Sequence, residues 1–228
     1  MARSRDAGYV SAFEVGVANT EIKDESYKSH SVSRMRTRDR GYISKTTIAG
    51  FIDESFEPIA TTTVGSGGSS SITFSSIPST YKHLQIRGIS KQSATTTGFP
   101  NVGAYFNSDT TYTNYISHYV NGNGSAVSAG NVQASGYYAY SFNTTTSNSG
   151  YANIFSVMVM DILDYASTNK NKTIRTLGGQ DANGSGEVVL TSGLWMNSST
   201  AINAVTFTLP GGGNFSEYSS FALYGIKG

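Results

Sequence analysis

Cysteine does not occur in the sequence. Its absence excludes disulfide staples, thiolate metal sites and a cysteine nucleophile. Packing and hydrogen bonds must hold the fold together. Charge is scarce as well: Asp, Glu, Lys and Arg make up 14% of the chain and the net charge is +1. A near-neutral balance offers no electrostatic footprint for nucleic acid, so no nucleic-acid partner is expected. Long hydrophobic runs are also missing. The longest, Ile154 to Met160, is interrupted by Ser156 and falls far short of the ~20 residues of a spanning helix. The opening residues, MARSRDAGYVSAF, lack the apolar stretch of a signal peptide. The expectation is a soluble chain made in the cytosol, with no membrane partner.

What is abundant points to one fold class. The 228 residues include 25 Gly and 15 Tyr, with Ser, Thr and Asn also frequent. Such residues are poor helix formers and suit short strands joined by tight turns. A domain of about 170 residues buries roughly 70% of its unfolded surface, so a core without staples is feasible. The expected class is all-β.

The charges are unevenly spread. Residues 1–57 hold 18 of the 31 charged residues but only 4 of the 25 glycines. A boundary between Glu57 and Pro58 follows, sharpened by the Gly/Ser turn at 65–71. The sequence therefore divides into an extended N-terminal arm, 1–57, and a domain, 58–228. The arm has too few large apolar residues to close a core. It carries an internal repeat: Arg3-Ser4-Arg5-Asp6-Ala7-Gly8-Tyr9-Val10-Ser11 recurs 33 residues later as Arg36-Thr37-Arg38-Asp39-Arg40-Gly41-Tyr42-Ile43-Ser44. Eight of the nine positions match or are conservative, which reads as one peptide-docking mode used twice. The candidate docking residues are Arg5, Asp6, Gly8 and Tyr9, and in the second copy Arg38, Asp39, Gly41 and Tyr42. Tyrosine supplies a buried anchor, arginine and aspartate supply ion pairs, and glycine permits a turn or close backbone approach. Farther on, Ile48, Phe51, Ile52 and Phe56 either line a short helix or anchor an extended segment.

From Ile59 onward the pattern is strand and turn. Tyr81 to Ile89 alternates with period two, placing Leu84, Ile86 and Gly88 inward and His83, Gln85 and Arg87 outward. About ten strands are expected, around Ile72–Ile77, Tyr81–Ile89, Val102–Phe106, Tyr112–Val120, Gly136–Phe142, Ala152–Leu163, Thr173–Gly178, Val188–Met196, Ala204–Leu209 and Ser219–Ile226. The turns are marked by Asn107-Ser108-Asp109 and Asn121-Gly122-Asn123-Gly124. The apolar run Ile154–Met160 reads as a central strand covered on both faces. These elements make a single antiparallel β-sandwich, jelly-roll-like.

Reactive constellations are sparse. His30, His83 and His118 lack a Gly-x-Ser-x-Gly elbow to serve, and Gly65-Ser66-Gly67-Gly68 sits in a turn. Asp161 and Asp164 could pair as acid and base or bind calcium. They read better as a backbone acceptor at a strand end and the start of a polar loop. Asp181 and Asn183 resemble a calcium loop without its closing Glu. Gly211-Gly212-Gly213 has no following Lys-Ser/Thr to bind phosphate. The expectation is a protein without catalytic residues, metal or cofactor. Tyr112, Tyr115, Tyr119, Tyr137, Tyr138 and Tyr140 are either contact residues for sugar or protein or ordinary half-buried sheet aromatics.

The stretch from Val64 to Arg87, VGSGGSSSITFSSIPSTYKHLQIR, resembles a module that recurs in structural proteins of tailed bacteriophages, especially marine and cyanobacterial ones. Asp161–Tyr165, Ser192–Asn197 and Phe221–Lys227 resemble later parts of the same module, so the resemblance covers roughly 59–228. It implies a non-enzymatic virion protein, made in the host cytoplasm and located on capsid, tail or fibre. The partners it implies are other virion structural proteins and further copies of this chain. The alternative is a receptor-binding module that recognises a host surface glycan.

Overall fold

The computed structural model describes residues 55–95, 98–133, 139–147, 149–182 and 184–228. The arm positions Arg5, Asp6, Gly8, Tyr9, Arg38, Asp39, Gly41 and Tyr42 lie outside the described residues, as do Ile48, Phe51, Ile52, Tyr137, Tyr138 and Asn183.

Among the described residues the chain forms twelve strands and no α-helix. They are β1 (Phe56–Thr63), β2 (Ser71–Phe74), β3 (His83–Ser90), β4 (Asn101–Phe106), β5 (Tyr115–Gly122) and β6 (Val127–Gln133). The rest are β7 (Ala139–Asn143), β8 (Ser156–Leu163), β9 (Lys172–Asp181), β10 (Gly186–Trp195), β11 (Val205–Thr208) and β12 (Ser220–Ile226). β1 begins at Phe56, two residues before the boundary expected from charge. Two expected strands start later than their sequence pattern: Tyr112–Asn114 is a 3-10 turn ahead of β5, and Ser149–Tyr151 another ahead of β8.

All pairings between these strands are antiparallel, and the strands form two sheets. The larger has the order β1-β12-β3-β8-β9-β10-β5-β6 and the smaller β2-β11-β4-β7. Consecutive strands stay in one sheet only at β5–β6, β8–β9 and β9–β10. Every other connection changes sheet, so the layers are laced together along the whole chain. The protein is a β-sandwich with unequal layers.

The alternation that predicts the inner face holds where it was clearest. Leu84 and Ile86 of β3 are fully buried, as are Met160 and Ile162 of β8 and Leu223 of β12. They meet Ile72, Phe106, Val205 and Phe207 of the small sheet in one apolar core. At its centre the Phe221 ring lies 4.9 Å from Phe207, 5.7 Å from Phe215 and 6.5 Å from Phe142, centroid to centroid. The layers close tightly beside it: a Cβ at Gly178 of β9 would sit 2.6 Å from Cβ of Phe142 on β7.

One expectation fails. The apolar run ending at Met160 is not covered on both faces. In β8 the side chains of Val157, Val159 and Leu163 are exposed, while Met158, Met160 and Ile162 are buried. The second layer has only four strands. It covers one face of the large sheet and leaves the other without a protein layer among the described residues.

Candidate functional site

The uncovered face of the large sheet has an ordered chemistry. Side chains on alternate residues point to it, and the pairing registers align them in rows across the strands. One row runs Ile89, Val157, Gly179, Val188, Gly122, Val127 across β3, β8, β9, β10, β5 and β6. The next runs Arg87, Val159, Leu177, Leu190, Val120, Ala129 over the same strands. Eight of the thirteen large apolar side chains exposed among the described residues fall in these two rows. Val127 is 77% exposed, Val188 60% and Leu177 54%. Single exposed aliphatics need no explanation, but a contiguous band across six strands does call for one.

The following row is polar: Gln85, Asp161, Arg175, Ser192, His118 and Asn131 lie side by side. Arg175 donates to an Asp161 oxygen at 2.7 Å, and Gln85 Nε2 donates to the other at 2.9 Å. Arg87 Nε donates to Gln85 Oε1 at 2.9 Å, and its guanidinium lies over the rings of Tyr224 and Phe56, 4.9 and 5.6 Å from their centroids. Asp161 is thus part of a side-chain network on the sheet face, not the backbone acceptor expected at a strand end. Such a bridged row, flanking the aliphatic band, resembles the polar rim of a protein interface.

The groups that might have carried chemistry are held structurally. Asp164, at φ 48°, accepts from Lys170 at 2.6 Å with Lys82 3.6 Å away. The Lys170 hydrogen bond holds its carboxyl below the ordinary carboxylate range. Asp164 N–H donates to Nδ1 of His83 at 3.0 Å, so that nitrogen is no free base. Lys172 is fully buried, and burial pushes its pKa down. Desolvation of this kind activates catalytic lysines. Here Nζ donates to the backbone oxygens of Lys170 at 3.1 Å and Asn197 at 2.9 Å and lies 5.6 Å from the Trp195 ring centroid. Two backbone oxygens and a ring face hold the amine in place.

Among the described residues no three His, Asp or Glu side chains gather as a metal site, and no helix is long and apolar enough to cross a membrane. Because the acidic clusters of the sequence are weak, calcium or EDTA is expected to leave the melting temperature of residues 59–228 unchanged. A native-state site at a hundred times its dissociation constant would add about 2.7 kcal/mol, so a clear calcium-dependent rise in a thermal melt refutes this.

The tyrosines whose side chains are described do not share one environment. Tyr115 is 1% exposed, and its hydroxyl donates to the backbone oxygen of Asp109 at 2.9 Å. Tyr112 is exposed and Tyr119 half-buried. The aliphatic band escaped sequence reading because each strand supplies only one or two of its aliphatic residues. The available signal was apolar residues at both parities, as in Val157-Met158-Val159-Met160, which equally describes a doubly covered strand. No family model, no curated protein and no solved structure matches the chain.

Proposed function

We propose that this chain is a non-enzymatic structural protein of a virus particle, joined to it by the N-terminal arm and by protein contacts of the sandwich. The observation that supports it is the aliphatic band on the uncovered face of the large sheet. An aliphatic band with a bridged polar row beside it suits a protein partner. A glycan site would call instead for stacking aromatics among directed polar groups, and neither row of the band contains an aromatic residue. The phage-like stretch from Val64 to Arg87 is what gives the assembly reading its particular setting.

In this reading the two arm repeats dock into equivalent grooves on neighbouring subunits. The segment between them, fully extended, reaches about 110 Å, and linking two weak sites raises avidity by about 10² to 10⁴. Tyr9→Ala and Tyr42→Ala should each lower incorporation into purified particles, and the double change should nearly abolish it, with the melting of the sandwich unchanged. Quantitative mass spectrometry of particles provides the measurement. Wild-type incorporation of the double variant would refute the docking role of the repeat.

A further inference from the structure

The outer face of the large sheet is nearly self-complementary about one line. On β9 the outward residues run Thr173, Arg175, Leu177, Gly179 and Asp181, and the last four are centred on Gly178, which points inward. Consider a two-fold axis lying in the interface plane, perpendicular to β9 and passing over Gly178. It lays the sheet antiparallel on its own copy. Leu177 then falls on the partner copy's Gly179 position, and Arg175 on its Asp181 position, each contact occurring twice as an isologous interface requires.

The neighbouring strands follow the same rule, because both apolar rows cross β8 and β10 in register with Leu177 and Gly179. Val157 meets Val159 on β8, and Val188 meets Leu190 on β10. Gly179 leaves a gap in a row of branched side chains, and Leu177 is the side chain that fills it. Arg175 has an exposed side chain and Asp181 is exposed as well, so opposite charges meet at both ends of the β9 contact. Sheet twist confines this match to the strands nearest the axis, as in aligned face-to-face packings.

We propose that two copies of this chain pair through these faces, with β9 crossing β9 at Gly178. This rests on reading the band as an interface, and it names the occupant as a second copy. Sedimentation equilibrium of the full chain tests it. The expected result is twice the 24.2 kDa chain mass, with Leu177→Asp shifting the dissociation constant at least 100-fold. Leu177 is 54% exposed, so the variant chain should still fold, its melting temperature falling only by what pairing contributes and losing the concentration dependence expected of the wild type. Arg175→Ala and Asp181→Ala should each weaken the dimer about tenfold, and the double variant no more than either alone. A product of the two single effects would overturn the register.

A wild-type chain that remains a monomer at its highest soluble concentration would overturn the pairing. So would a Leu177→Asp dimer as tight as wild type. Particle incorporation of Leu177→Asp then separates the two readings. Reduced incorporation means the face serves assembly with another occupant; normal incorporation removes the interface reading too.

Discussion

Replacing Phe221 by alanine is expected to lower the stability of the protein by about 3–5 kcal/mol, the range for truncating a buried phenylalanine. Phe221 is 0% exposed and touches aromatic rings from three directions. Phe142 and Phe207 belong to the small sheet and Phe221 to the large one, so its ring is a principal contact between layers. Phe215 lies in the segment that pairs back to Ser69 and Gln92 by isolated bridges, and the same deletion loosens that segment. Gly88, packed beneath the ring so closely that a Cβ there would lie 2.8 Å from it, has no side chain to fill the space. A domain holds only about 5–15 kcal/mol in total, so the variant should be partly unfolded or melt far below wild type. Urea denaturation followed by fluorescence of Trp195 measures it. A loss below about 1 kcal/mol would show that the layers are not joined through this ring.

Asp109→Ala should cost about 3 kcal/mol, although the residue lies in a turn. One oxygen of Asp109 accepts the Trp195 indole N–H at 2.8 Å and an Asn114 side-chain N–H at 2.8 Å, and the other accepts the Thr111 backbone N–H at 3.0 Å. Trp195 is 1% exposed and packs on Phe106 at 5.7 Å between centroids. Removing the carboxylate deletes a charged hydrogen bond of about 1.5–3 kcal/mol and leaves a buried N–H unpaired at about 1–3 kcal/mol.

The ionisation of Asp109 adds a pH signature. Desolvation tends to raise its pKa, but the hydrogen bonds from Trp195, Asn114 and Thr111 outweigh this and hold it below the ordinary value of 3.8. A carboxyl depressed in the folded state stabilises it above the unfolded pKa, and the benefit is lost as pH falls through the folded pKa. The stability difference between wild type and Asp109→Ala should therefore be largest near neutral pH and shrink as pH drops below 3.8. Urea titrations of both proteins from pH 7 to pH 2 read it directly. A gap that stays constant down to the lowest pH would mean the charge of Asp109 contributes nothing.

Neither residue stood out in the sequence. Asp109 was legible only as part of the turn Asn107-Ser108-Asp109, and Phe221 only as one apolar residue of a C-terminal strand. The turn chemistry was read correctly, since Asn107 and Ser108 have φ of 51° and 60°. Its purpose was hidden, because the indole it anchors is 86 residues away. Gly225 gives a similar case: a Cβ there would lie within the ring of Tyr81, a crowding invisible in Leu223-Tyr224-Gly225-Ile226.

The sequence by itself determined the fold class and most of the strands. Low charge, abundant turn formers and period-two alternation act locally, and each strand needs only its own residues to declare an inner face. Leu84 and Ile86 are buried, and Arg87 is exposed, as their alternation requires. The tertiary structure alone decided that the layers are eight strands and four. It also decided which outward side chains become neighbours. Ile89, Val157, Val188 and Val127 lie in separate strands, far apart in the chain, and form one row only because long-range pairing sets the registers. A one-residue slip in any of those pairings would turn that strand's aliphatics inward. The face is therefore a property of the register, and no local pattern encodes it.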